Sequence, residues 1–290
     1  MLANRLQLLR LKSFGEQAHC LSQLAFTKYG KTDKKKAPLV ICHGLFGQKS
    51  NWNSIAKAVQ ARLNNAVYCV DLRNHGDNNH YPTMTYAEMA EDVDNFIETV
   101  VFQDSDGVKC DILGHSMGGK VVMAGALDEN YSKKFRKVIV EDATPVAHHQ
   151  GGEFVGYVAA LKKVNYMGTR KEIDNELKVA VPDNAVRGFL LTNLARDEKT
   201  GGWKFKANLD VINDYVTDTL PNNSFVGKGI CREPALFIIG EKSNFVPAKD
   251  RGHILKLFPN VEFTTIPKAS HWVHADQPKA FMDVVVNYLK

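Results

Sequence analysis

Gly114-His115-Ser116-Met117-Gly118-Gly119 follows the apolar run Asp111-Ile-Leu and opens the helix-forming run Met117 to Leu127. A serine between glycines at a strand-to-helix junction implies a sharp turn, because only small flanking residues let the backbone pass that closely. Such a turn lifts the hydroxyl to the carboxyl end of the strand and aims the unpaired N–H groups of the following helix at it. The pentapeptide alone recurs in many Gly-rich turns. The strand before it and the helix after it make it specific.

The rest of the chain supplies a matching rhythm. Leu24 to Tyr29 reads as an edge strand. Pro38 to Cys42, Ala66 to Val70, Lys137 to Glu141, Pro234 to Gly240 and Val261 to Ile266 read as strands. The first of these is apolar throughout, which fits a strand buried on both faces. Helical spacing appears at Asn51–Leu63, 85–101, 249–257 and Pro278–Leu289, and Thr85 with Glu88 forms a capping box. Alternating strands and helices predict a parallel sheet covered on both faces, with ligands beyond the strand carboxyl ends. Residues 151–229 break the alternation with helical segments near 154–164, 171–181, 183–195 and 206–219 and no clear strand. We expect a helical cap there, over a core formed by 24–150 and 230–290. The fold class is therefore α/β, of the α/β-hydrolase type.

A serine hydroxyl needs a base to become a nucleophile. Of ten histidines, His271 fits best: it follows the last strand and comes after the serine and every acid candidate, the Ser…acid…His order of this fold. His274 is expected to pack against the closing helix, and His43, His115, His148 and His149 are weaker candidates. The acid is Asp142, at the end of its strand, or alternatively Glu241, in the loop after Gly240 where Asn244 stands at a position often held by Asp. Alternation turns Glu141 away from Asp142. The oxyanion donors are expected to be the N–H groups of Met117 and of Leu45, with Phe46 second, in His43-Gly44-Leu45-Phe46-Gly47. Asp71-Leu-Arg73-Asn74-His75-Gly76 reads as a structural loop whose side chains pair with one another. No cofactor is implied by such chemistry, and no Cys/His spacing suggests a metal.

Charge is placed unevenly. Residues 1–36 hold eight Lys/Arg and two acids, a surplus of +6 out of a net +5, so the remaining residues carry −1. That argues against a nucleic-acid partner, which needs a basic patch on the folded body. The leader MLANRLQLLRLK alternates Arg5, Arg10 and Lys12 with leucines and has no acid before Glu16. It reads as a mitochondrial transit segment over about 1–23, giving a mitochondrial, matrix localisation with a cytoplasmic one as the alternative. Five cysteines without CxxC spacing suit buried thiols rather than a disulfide framework. No run of 18 apolar residues marks a transmembrane segment.

HGLFGQKSNW, DLRNHG, GHSMGGKVVM, EDATP and SHWVHADQP together resemble the abhydrolase domain-containing protein 11 family, from about Leu39 to the end of the chain. The resemblance implies a serine esterase with its acid at Asp142. It implies hydrolysis of short and medium acyl esters or of acylglycerols, and a mitochondrial setting with a link to 2-oxoacid dehydrogenase maintenance. Three readings stay open: an ester hydrolase, a thioesterase or carbon–carbon hydrolase with the same triad, and a non-catalytic binding or chaperone role toward a mitochondrial enzyme complex.

Overall fold

The computed structural model describes residues 21–147, 152–220 and 229–290. The basic leader, Cys20, His148 and His149 lie outside the described residues. Seven strands form one sheet in the order β1-β3-β2-β4-β5-β8-β9. They are β1 (Phe26–Tyr29), β2 (Leu39–Cys42), β3 (Val67–Val70), β4 (Cys110–His115), β5 (Phe135–Glu141), β8 (Ala235–Gly240) and β9 (Val261–Ile266). All pairings are parallel except that of β1 with β3.

The sheet is buried on both faces, which is why its central strands carry unbroken apolar runs. One face (Leu39, Ile41, Leu113, Ile139, Ile238) packs on α1 (Asn53–Leu63) and the closing helix Pro278–Leu289 through Ile55, Val59, Phe281 and Val285. The other face (Val40, Val70, Ile112, Val140, Phe237) packs on α2 (Tyr86–Phe96), α3 (Met117–Ala126) and the helix Arg251–Leu257 through Met89, Val93, Val121 and Ile254. The Thr85–Glu88 capping box starts α2, and a π-helical turn at Ile97–Val101 continues it.

The insertion holds α4 (Gly152–Leu161), α5 (Arg170–Leu177), α6 (Asn184–Leu190) and α7 (Leu209–Asp214). Its third helical segment is shorter than the spacing predicts, because the chain turns at Asn193 into an antiparallel hairpin of β6 (Leu194–Arg196) and β7 (Trp203–Phe205). Three-residue strands are too short to show alternation. Arg196 stacks over Trp203 at 4.0 Å across the hairpin. Among the described residues no helix is long and apolar enough to cross a membrane.

The Asp71–Gly76 loop is structural; His75 bonds the Arg73 carbonyl within it, but its charged side chains find their partners on other elements. Arg73, 2% exposed, forks onto both oxygens of Asp92 at 2.7 and 2.9 Å and reaches Glu88 at 3.0 Å, both on α2. Asp71 accepts from the Lys49 backbone and ammonium, each at 2.6 Å, and from Asp77 N at 2.9 Å. Burying these charges is tolerable only because each is paired. Arg73→Met should therefore lose about 3–5 kcal/mol of stability, since it strands two buried carboxylates. Urea unfolding checks this, and a loss below about 1 kcal/mol would show that the pair is not an anchor.

Candidate active site

Ser116 lies between β4 and α3 with φ 53° and ψ −115°. A non-glycine residue in that region costs about 1–3 kcal/mol and persists only where packing enforces it. Here a side chain on Gly114 would lie 2.2 Å from the Gly118 carbonyl oxygen, and one on Gly118 would lie 2.4 Å from that of Cys42 on β2. The glycines thus let strand, turn and helix close on one another. The Ser116 N–H is fixed to Glu141 O at 3.0 Å, which ties the turn to the end of β5.

Ser116, His271 and Asp142 converge from three strand ends. Ser116 Oγ is 3.0 Å from His271 Nε2, and His271 Nδ1 is 2.7 Å from Asp142 Oδ2. With Nδ1–H donating to the carboxylate, Nε2 is left to accept the serine proton. Asp142 is fully buried with φ 48°, one residue beyond the last of β5. Its Oδ1 accepts from Gly240 N at 3.2 Å, and its Oδ2 also accepts from the Ser243 hydroxyl. Phe245 stacks on the His271 ring at 3.8 Å. Glu241, the alternative acid, is not part of this group: it is exposed, and its carboxylate accepts from Lys268 N at 2.8 Å. Alternation along the end of β8 turns it away from the site.

Glu141 forms a second acid–histidine pair beside the first. Its Oε1 accepts from His274 N and from Nδ1, both at 2.8 Å, while Trp52 stacks on the His274 ring at 4.2 Å. His115 donates from Nε2 to His271 O at 3.0 Å and so holds the loop that carries His271. Burial, then the neighbouring His271 and His274 rings, push the His115 pKa well below its usual value, so it stays neutral. Ligand atoms of His115, Glu141 and His274 lie within 4.8 Å of one another, close enough to consider for a cation. Glu141 Oε1 is bonded to His274 and His115 Nε2 to the His271 carbonyl, which supports the loop, while Glu141 Oε2 is buried without a hydrogen-bond partner.

The Leu45 loop faces the Ser116 turn. Among the described residues, neither Leu45 N–H nor Met117 N–H donates within the protein. Phe46 N–H is engaged, donating to His75 Nε2 at 3.2 Å, whereas Leu45 N–H carries no such bond. His75 in turn donates from Nδ1 to Arg73 O at 2.9 Å. Burial and the adjacent His43 lower the His75 pKa to about 3, keeping its Nε2 an acceptor. Leu72 N–H donates to His43 Nε2 at 2.9 Å, a second tie between the two loops.

Two clefts meet at Ser116. One, the tighter, is lined by Leu45, Met117, Lys120, Thr144, Tyr215 and Phe245. The other, roomier, is lined by Phe46, Phe154, Tyr157, Phe189, His271 and Trp272. Sequence reasoning missed Ser243, Phe245, His75 and Lys120 as members of the site. Lys120 alone carried a signal, sitting one helical turn after the serine.

Residues 39–284 match the model of the alpha/beta hydrolase family. The chain belongs to the alpha/beta hydrolase family. Within it, the chain is 36% identical over 87% of its length to the Mus musculus protein named sn-1-specific diacylglycerol lipase ABHD11, covering 80% of that protein. It is 33% identical over 91% of its length to a Saccharomyces cerevisiae protein named probable alcohol acetyltransferase, covering 80% of it. Among solved structures, a marine microorganism esterase superposes with a TM-score of 0.82 at 34% identity, over 92% of this chain and 99% of that one. These likenesses place the chain with the abhydrolase domain-containing protein 11 members of the family.

The His75 bond makes a specific demand on the Leu45 loop. His75→Leu leaves the buried Phe46 N–H without an acceptor and should cost about 1–3 kcal/mol. It should also slow fluorophosphonate labelling of Ser116 by slackening the loop. Unchanged labelling in a folded variant would show that His75 does not position Leu45.

Proposed function

We propose that this protein hydrolyses carboxylic esters, short-to-medium acyl esters and acylglycerols among them, through an acyl-enzyme on Ser116. The observation that carries the reading is the 3.0 Å contact of Ser116 Oγ with His271 Nε2, continued at 2.7 Å to Asp142. Ser116 Oγ attacks the carbonyl carbon as its proton passes to His271 Nε2. The N–H groups of Leu45 and Met117 hold the oxyanion. The carbon–oxygen bond to the alcohol breaks, and the alcohol leaves with the proton from His271. Water then repeats the sequence, releasing the acid and regenerating Ser116. Asp142 orients the imidazole and stabilises its charged form. The aromatic cleft of Phe154, Tyr157, Phe189 and Trp272 suits an apolar substrate group. The relatives named lipase and esterase support the same class.

Fluorophosphonate labelling read by intact mass tests this directly. Wild-type protein should gain one adduct and Ser116→Ala none. Asp142→Asn should keep its fold yet lose about 10³–10⁴-fold in ester turnover. Absence of an adduct on folded wild type would refute the acyl-enzyme reading.

The relative named alcohol acetyltransferase favours a second reading, in which an alcohol takes the place of water at the acyl-enzyme. Product analysis with an added alcohol decides: new ester formed in preference to free acid would support transfer. We also propose import into mitochondria, on the strength of Arg5, Arg10 and Lys12 set among leucines ahead of the first acid. A fluorescent fusion of residues 1–23 that stays cytosolic would refute that placement.

A further inference from the structure

Behind the triad lies a buried carboxylate that is only half satisfied. Glu141 is fully buried, and its Oε1 is committed to the backbone and ring of His274. Its Oε2 meets no hydrogen-bond donor, and among the described residues no lysine or arginine is paired with it. A buried carboxylate oxygen with nothing bound to it has lost its hydration without replacement. His115 and Glu141 are register partners at the ends of β4 and β5, so their side chains rise on the same face of the sheet. His274, in the turn after β9, closes on both, its ring 5.1 Å from that of His115. One nitrogen of each histidine and one Glu141 oxygen lie within 4.8 Å of one another.

Two imidazoles and a carboxylate are the donor set of a borderline divalent ion. Zn²⁺ holds such groups at about 2.0–2.2 Å and completes four-fold coordination with a water. Drawing atoms that lie within 4.8 Å of one another onto one ion takes shifts of roughly 1 Å, the reach of a side-chain rotation. The nitrogen that His115 would offer can be named. Its Nδ1 faces Gly44, where a Cβ would lie 2.8 Å from it, so the nitrogen on the His274 side is Nε2. That atom now donates to the His271 carbonyl at 3.0 Å. A metal needs its lone pair, so the ring proton moves to Nδ1 and the bond to the carbonyl is lost. Occupancy therefore reaches the loop that carries the catalytic base.

We infer that His115, Glu141 and His274 form a binding site for a divalent transition-metal ion of the Zn²⁺ class, and that the bound ion inhibits the triad in front of it. Glu141 Oε2 gains the partner it lacks. His271 loses the hold on its carbonyl and, with it, its alignment on Ser116. Removal of the ion restores both. The inhibition rests on the acyl-enzyme reading above, whereas the binding does not.

The full chain, stripped of metal by dialysis against a chelator, is titrated with Co²⁺, whose visible absorption reports its coordination. Wild type should take up one equivalent with the intense bands of a four-coordinate ion, and Zn²⁺ should displace it. Glu141→Gln and His115→Phe, each checked for folding by circular dichroism, should weaken Co²⁺ binding at least about tenfold. Should either fail to fold, His274→Phe, which keeps a ring on Trp52, takes its place. His271→Ala should keep the bands, because the triad histidine is not a ligand. Zn²⁺ should also inhibit wild-type ester turnover, reversibly on adding chelator, and leave the residual turnover of Glu141→Gln unchanged over the same range. Absence of Co²⁺ uptake by folded wild type overturns the site. Bands that survive in the Glu141 and His115 variants, or vanish in His271→Ala, put the ion elsewhere and overturn it as well. Uptake at this site without inhibition overturns the inhibitory role. The spectrum is read without substrate, so it decides the site even if no ester is turned over, the result that would remove the acyl-enzyme reading.

Discussion

Ser116 occupies a backbone region that its own side chain disfavours, and the site is organised around what holds it there. The turn is compressed between β2 and β5: Gly118 approaches the Cys42 carbonyl, and the Ser116 N–H is bound to Glu141 O. The strain is sustained by a sheet buried on both faces, whose strands cannot shift without exposing apolar surface. The same compression brings the start of α3 against the Leu45 loop, so the two uncommitted N–H groups end up facing one pocket. A looser turn would let the hydroxyl and the donors drift apart together.

The end of β5 shows how alternation does two jobs at once. Glu141 and Asp142 are adjacent, and the chain sends them to opposite sides. Each meets a histidine of the segment after β9, Glu141 with His274 and Asp142 with His271. The outer pair is buttressed by Trp52 and fixes the start of a short helical turn, while the inner pair faces Ser116. Because His271 and His274 are three residues apart, holding one narrows the positions open to the other. His115 adds a third hold on the same loop through the His271 carbonyl. The neutral, buried His115 suits this work, since it offers one donor and one acceptor without a charge to stabilise.

Much of this was legible because it depends on local pattern or chain order. The strand–turn–helix around Ser116 is contiguous, and His271 follows from its place after the last strand. The capping box at Thr85 is a three-residue relation and reads directly. Where a choice hinged on which strand end lies nearest which, the sequence left Asp142 and Glu241 both open. In the structure β5 lies between β4 and β8, Asp142 meets His271, and Glu241 is turned to Lys268. The β6–β7 hairpin escaped because three-residue strands have no period to detect. His75 and Ser243 act across loops distant in sequence, through single hydrogen bonds that no spacing announces.

The cap is better understood as part of the site than as a cover laid over it. Its apolar residues Val158, Leu161, Ile173 and Leu177 belong to the same continuous core as the sheet face carrying α2 and α3. Its polar contacts land on the oxyanion side: Asn193 donates to Phe46 O at 2.7 Å and Gln48 donates to Thr192 O at 2.8 Å. Asn208 N–H donates to Asn74 O at 2.9 Å, in the loop that carries His75. The Leu45 loop is thus gripped from below by His43 and His75 and from above by the insertion. Both clefts take walls from the same insertion, through Phe154, Phe189 and Tyr215. Substitutions that reshape the cap for a new substrate therefore also act on the loop that presents Leu45. The bond from Asn193 to the Phe46 carbonyl is the direct tie between the insertion and that loop.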